Sequence, residues 1–373
     1  MQKILLLNYE FPPLGGGAGN ATYYLLKEFA GNHNIKIDLV TSSSDRYKEE
    51  CFSENIRIYF LDIGKRENIH YQSYKDLLSY SWKAFWFARK LIIKAKKEGS
   101  PYQKCHAFFG IPCGYIAMKL GLPYIVSLRG SDVPFYNKRF KKLDKWVFKR
   151  MSKKIWNRAE AVVANSQGLK DLALKTAQNQ SVDIIYNGVD TNEFAPRSTG
   201  QKTDKFTVLY VGRLIERKGV QYLLEAFNKL NKKKDAKLVL VGAGNLAKNL
   251  KNKYQKDDIQ FLGALPHKDL AKVYQQADVF VLPSFNEGMS NTVLEALASG
   301  LAVIVTDTGG TKELVKNTDC IVQKKSAESI FRVLELFKKN PDMAAKIGRQ
   351  NRETALQMNW QKAARQYMDF YKL

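Results

Sequence analysis

Two cations stand close together in Tyr210-Val211-Gly212-Arg213-Leu214-Ile215-Glu216-Arg217-Lys218-Gly219. Arg213 leaves the end of an apolar run. Lys218 opens a helical pattern whose apolar residues recur at Val220, Leu223, Leu224, Phe227 and Leu230. Cations at a strand's carboxyl end, beside a helix N-terminus, can grip a diphosphate and stabilise charge building on a nucleoside-diphosphate leaving group. The other reading is a pair of solvated surface cations. Two carboxylates follow in Leu282-Pro283-Ser284-Phe285-Asn286-Glu287-Gly288-Met289-Ser290-Asn291-Thr292-Val293-Leu294-Glu295. Glu287 lies in a loop after an apolar strand, Ser290 or Asn291 can cap the helix that follows, and Glu295 sits about one turn inside it. Such carboxylates accept hydrogen bonds from sugar and ribose hydroxyls. A capping-box role for Glu295 is the alternative.

Glycines mark two further places. Leu14-Gly15-Gly16-Gly17-Ala18-Gly19 precedes a helix and would let backbone N–H groups approach an anion; a turn needing positive φ is the other reading. Val241-Gly242-Ala243-Gly244-Asn245-Leu246-Ala247 fits the dinucleotide fingerprint, but no acidic residue closes the next strand. These glycines read as close packing within a Rossmann-like half, not as a site for NAD.

The elements that must position these residues alternate. Strands are expected at Ile4–Asn8, Ile35–Thr41, Ile56–Leu61, His106–Phe109, Tyr124–Leu128, Ala161–Asn165 and Asp183–Tyr186. A second set follows at Thr207–Val211, Lys237–Val241, Ile259–Leu262, Val279–Pro283 and Ala302–Thr306. Helical stretches include Tyr23–Ala30, Tyr80–Lys97 and Lys138–Asn157, and later ones begin near Gly219, Leu246, His267, Asn291 and Ala327. Such alternation predicts parallel sheets covered on both faces. The two sets meet near Ala195–Lys205, and 373 residues suffice for two domains, each with its own core.

Sixty Lys and Arg against thirty-six Asp and Glu give a formal charge of +24. That excess suits an anionic partner or reflects a lysine-rich surface. Four scattered cysteines, without a C-x-x-C pair, argue for free thiols and against a zinc site or a disulfide framework. No apolar run is long enough to span a bilayer, and the N-terminal run is too short for a signal peptide, so a cytoplasmic protein is expected. Between Tyr136 and Arg158 there are ten basic residues and one acid. Tyr136, Phe140, Leu143, Val147, Met151 and Ile155 form a core stripe. Lys138, Lys141, Lys142, Lys145, Lys149 and Lys153 lie opposite, with Trp156 among them. Trp82–Lys97 mixes aromatics and cations similarly. Both faces suit an anionic membrane surface, and both suit solvent.

Taken in order, the glycine-rich loop, Gly212-Arg213-Leu214 with Lys218-Gly219, and Glu287 with Glu295 resemble the GT-B glycosyltransferases of family four. Supporting pieces are Ala164-Asn165-Ser166, Tyr186-Asn187-Gly188-Val189-Asp190, Phe261-Leu262-Gly263-Ala264-Leu265-Pro266 and the closing Trp360, Tyr367 and Tyr371. The resemblance implies two Rossmann-like, doubly wound parallel-sheet domains facing across a cleft. It places an acceptor-side domain over 1–195, a nucleotide-sugar domain over 196–355, and a helix over 356–373 that returns to the first. It implies that Arg213 and Lys218 hold the donor diphosphate, helped by amides at Gly16, Gly17, Ser290 and Asn291. Glu295 would bind the ribose, Gly263, Ala264 and Leu265 would face the base, and Glu287, Gly288 and Met289 would meet the sugar. A UDP- or GDP-sugar would supply the sugar, retained in configuration, to a glycan or lipid-linked acceptor of cell-surface synthesis. Neither a cofactor nor a metal is implied, and the sequence holds no Asp-x-Asp. Nucleic acid is not an expected partner.

One departure falls on the acceptor side. Ile125-Val126-Ser127-Leu128-Arg129-Gly130-Ser131-Asp132 carries Arg129 where many relatives have histidine, and arginine cannot shuttle a proton. Arg129, Asp132 and His106 are the acceptor-side candidates. A nucleotide-sugar epimerase or hydrolase of the same shape is the nearest rival. An NAD-binding oxidoreductase would leave both the cation and the carboxylate sets unexplained.

Overall fold

Continuous apolar runs become parallel strands buried on both faces. The structure, a computed structural model, describes residues 1–65, 72–136, 144–198 and 205–372. Lys138, Phe140, Lys141, Lys142 and Leu143 of the expected basic helix lie outside the described residues, as do residues 199–204 of the Ala195–Lys205 junction. Two compact units emerge: Met1–Asn187 together with the helix Trp360–Tyr371, and Gly188–Asn359.

The first unit holds an eight-stranded sheet. Its strands are β1 (Gln2–Leu7), β2 (Ile35–Ser43), β3 (Lys48–Ser53), β4 (Ile56–Asp62), β5 (Lys104–Phe108), β6 (Tyr124–Leu128), β7 (Ala161–Ala164) and β8 (Asp183–Ile184). They lie in the order β3-β4-β2-β1-β5-β6-β7-β8, all parallel except β3, which runs antiparallel to β4. Strand β3 is new relative to the sequence reading. Its Lys48-Glu49-Glu50-Cys51 is exposed, so no apolar pattern announces it, and its charge suits a sheet edge.

In the second unit β9 (Phe206–Val211), β10 (Ala236–Val241), β11 (Ile259–Gly263), β12 (Val279–Leu282), β13 (Ala302–Thr306) and β14 (Ile321–Val322) form a parallel sheet. Its order is β11-β10-β9-β12-β13-β14. The chain winds outward from β9 in one direction, then returns to place β12 on its other side. That reversal is the topological switch point, where ligands of open α/β sheets bind beyond the strand carboxyl ends.

Helix Tyr74–Lys97 begins six residues before the expected Tyr80 because Ser73 and Asp76 cap each other reciprocally, Ser73 Oγ accepting from Asp76 N and Asp76 Oδ2 from Ser73 N. Tyr80, Ala84, Ala88 and Ala95 are its buried face. The opposite face carries Leu78, Trp82, Trp86 and Ile93, between 45% and 71% exposed, among Lys75, Arg89, Lys90 and Lys97. The second basic stretch departs from expectation. Asp144–Phe148 is a π-turn, which widens the helix by one residue per turn and rotates the faces that follow. Trp156, expected among the lysines, is fully buried, while Val147, expected in the core, is exposed.

Helix Trp360–Tyr371 completes the first unit's core. Trp360 stacks on Tyr24 with ring centroids 5.8 Å apart, Tyr371 packs on Phe29, and Lys104 Nζ donates to the carbonyls of Phe370 and Lys372.

Candidate functional site

In the second unit the turns after β9 and β12, the two strands at the switch point, are locked together by backbone. Phe285 N donates to Arg217 O at 2.8 Å, and Arg217 Nη1 donates to Asn286 O at 3.3 Å. Gly219, at φ +65°, lies so near that a Cβ there would sit 2.2 Å from Pro283 O, so only glycine fits. The contact delivers Lys218 to Glu287: Nζ and Oε1 are 2.5 Å apart, both side chains about one-tenth exposed. Burial pushes the Lys218 ammonium below its usual pKa, against the opposing pull of Glu287. Burial would raise Glu287, yet Lys218 and Arg217 more than offset it and hold the carboxyl below its ordinary range. Arg213 is exposed at the mouth of the same turn, its carbonyl pinned by the buried Tyr210 hydroxyl at 2.8 Å. The arrangement presents a guanidinium with no side-chain partner among the described residues and an ammonium already paired with a carboxylate.

The glycines of Val241–Ala247 do what packing glycines do. A Cβ on Gly242 would fall 1.9 Å from Gly212 O, and one on Gly244 would fall 2.3 Å from Leu214 O. Gly212 N, Leu214 N and Leu246 N bond across the seam to Val241 O, Ala243 O and Leu214 O. These glycines seat the Arg213 turn. Gly263, at φ +73°, gives its carbonyl to Gly242 N, and with Ala264 it is exposed; Leu265 is half-buried.

Ser290 caps helix Asn291–Ala298 by accepting from Val293 N at 3.4 Å. The third helical position is Val293, so Glu295 takes no part in a capping box. Gly288 O accepts from Gly310 N, and Gly309 fits against Glu287 O only because it lacks a Cβ. Gly288, Met289 and Ser290 are buried, and Asn291 is half-buried. Glu295, 5% exposed, is held at both oxygens: His267 Nε2 lies 3.0 Å from Oε1, and Tyr274 OH donates to Oε2 at 2.9 Å. His267 Nδ1 lies 3.5 Å from Glu193 Oε1. Burial lowers the imidazole's pKa, but Glu295 and Glu193 outweigh it and leave the pKa raised. Sequence reasoning missed His267, Tyr274 and Glu193: the first two share one helix at i, i+7, but no local spacing brings that helix to Glu295 or Glu193.

In the first unit the glycine loop also leaves a switch-point strand, β1, which lies between β2 and β5. Helix Gly17–Phe29 starts within it, and Gly16 N donates to Glu10 Oε2 at 3.2 Å. His106 departs from its candidacy. It is fully buried, with Nδ1 2.6 Å from Tyr371 OH and Nε2 2.7 Å from Ser127 Oγ, and burial first, then Arg129, drives its pKa well down. It is a neutral tie to the helix Trp360–Tyr371. Ser127 Oγ continues to Tyr367 OH, which accepts from Arg129 Nη2. Arg129 also donates to Asn187 Oδ1 at 2.9 Å and lies over the Phe108 ring. Asp132 is buried and accepts from the amides of Gly110, Arg129 and Gly130; burial still raises its pKa.

Known proteins resemble this chain in sequence and in fold. Residues 191–354 match the family described as Glycosyl transferases group 1, and residues 15–193 match Glycosyltransferase Family 4. A protein named for teichuronic acid biosynthesis, TuaC of Bacillus subtilis (strain 168), is 31% identical over 66% of this chain and 64% of its own length. A UDP-Gal:alpha-D-GlcNAc-diphosphoundecaprenol alpha-1,3-galactosyltransferase of Escherichia coli is 28% identical over 84% of this chain and 82% of its own. The chain spans 44% and 64% of the first curated relatives it matches. A sucrose-phosphate synthase from Thermosynechococcus elongatus superposes with a TM-score of 0.84 at 22% identity, over 100% of this chain and 98% of that one. At that identity the likeness is one of fold.

Proposed function

The chain belongs to the group 1 glycosyl transferases of family four and has their GT-B fold, and from that premise we propose that it moves a sugar from a nucleoside-diphosphate sugar to a glycan or lipid-linked acceptor. The observation that carries the proposal is the convergence of Arg213, Lys218 and Glu287 at the β9/β12 switch point. Arg213 and Lys218 take the diphosphate and, as the bond to the anomeric carbon breaks, the charge left on its oxygen. Glu287 and the Gly288–Met289 backbone orient the sugar, Glu295 the ribose, and the Gly263–Leu265 segment faces the base. In the first unit, the Gly16–Gly17 amides are candidate anion contacts, and an anion there would displace Glu10 Oε2 from Gly16 N. The new bond forms on the face from which the leaving group departs, and the acceptor's proton passes to the leaving phosphate. Configuration is then retained without a metal, which product NMR and activity in EDTA test. A uridine donor is supported by the name of the Escherichia coli relative, which acts on UDP-Gal.

An anionic membrane is the place to meet a lipid-linked acceptor. Support comes from the outer face of helix Tyr74–Lys97, where four large apolar side chains stand in water among cations. Among the described residues no helix is long and apolar enough to cross a membrane. Thermal unfolding with UDP, GDP, ADP and their sugars tests the donor site. A ligand at a hundred times its Kd stabilises by about 2.7 kcal/mol. If no nucleotide raises Tm, or if Arg213→Ala and Lys218→Ala leave the shift unchanged, the site is wrongly placed.

A further inference from the structure

We propose that His267 is a positioning residue for Glu295, and that its proton couples donor affinity to pH. The inference rests on the reading of Glu295 as the ribose contact. The imidazole lies between two carboxylates from separate elements. Glu295 comes from helix Asn291–Ala298 at 3.0 Å, and Glu193 comes from the segment after the crossing at Asn187–Gly188 at 3.5 Å. Phe194 meets the ring edge-on, and Tyr274, from the same helix as His267, holds the second oxygen of Glu295. The Glu193 segment is fixed: Asp190 Oδ1 accepts from Asn192 N and Glu193 N, and Arg352 donates to the carbonyls of Thr191 and Phe194. Among the described residues, Glu193 and Glu295 face the ring, with Asp190 and Arg352 holding the backbone that carries Glu193.

An imidazolium donates from both nitrogens and satisfies both carboxylates; a neutral imidazole satisfies one and turns a lone pair toward the other. Loss of the proton therefore releases one carboxylate and removes a positive charge beside the ribose contact. The folded pKa is raised, so the imidazolium's contribution is complete below the usual histidine value and fades as pH rises through the folded one.

The test is calorimetric titration of the full chain with UDP-glucose, GDP-mannose and ADP-glucose from pH 6 to 8.5. These diesters lose no phosphate proton in that interval, so a pH dependence belongs to the protein. For a sugar nucleotide that binds, Kd rises about three- to tenfold across the interval, the scale of one charge-assisted hydrogen bond becoming neutral. His267→Gln keeps an N–H for Glu295 but cannot titrate, so its Kd is flat with pH. Glu193→Gln moves the transition to lower pH. A Kd independent of pH in the unaltered protein, or an equal slope in His267→Gln, overturns the proposal while leaving the donor site standing. No binding of any of the three, or full binding by Lys218→Ala, removes the donor site and this role of His267 with it.

Discussion

A ligand anion reaching Lys218 must share the ammonium with Glu287, which already accepts one of its three protons. Lys218→Ala is expected to lower kcat by about 10²–10³, the cost of removing one donor aimed at developing charge. It also strands Glu287 in a buried place, which costs about 3–5 kcal/mol when the partner of a buried pair is removed. The double change Lys218→Ala with Glu287→Gln separates the effects: urea unfolding should show most of the stability restored, and turnover should stay low. Restored turnover would mean that Lys218 serves folding alone. The residue types at this site were legible, because glycines, cations and carboxylates at strand ends point to their chemistry without a structure. The contacts were not. Glu295 reads as a carboxylate for a ribose or as a capping-box acid until helix packing brings His267 and Tyr274 to its two oxygens.

At the scale of elements, the turn after β9 depends on a single backbone approach. Gly219→Ala drives a methyl into Pro283 O and is expected to cost about 2 kcal/mol or more. Chemical denaturation with and without nucleotide would register that loss together with weaker donor binding. Helix Tyr74–Lys97 makes a different prediction. Trp82→Ala with Trp86→Ala should abolish flotation with anionic vesicles and spare binding of a soluble nucleotide, and raised salt should weaken flotation of the unaltered protein. Absence of flotation at physiological salt would end the membrane reading. Buried parallel strands were legible as apolar runs, whereas β3 was hidden by exposed charge and the burial of Trp156 by a π-turn that no spacing rule anticipates.

Across the whole molecule, the first unit is made from two stretches of chain and the second from one. Tyr367 and Tyr371 join Arg129, Ser127 and His106 in one buried hydrogen-bonded chain, so the helix Trp360–Tyr371 is part of that core. Tyr371→Phe leaves the His106 ring with an unmet nitrogen, an expected loss of about 1–3 kcal/mol. Hydrogen exchange across β5 and β6 would report it; unchanged protection would show that the hydroxyl contributes nothing. This arrangement also orders events at the ribosome. The stretch that emerges first lacks the core side chains Trp360, Ala363, Ala364, Tyr367 and Tyr371 until the whole of the intervening unit has been translated. The first unit is therefore completed only after the second has been synthesised, so its last core element does not follow the usual N-to-C sequence of domain folding. A nascent chain stalled before Trp360 presents an unsealed hydrophobic surface where Tyr24 and Phe29 await their partners, a natural target for chaperones.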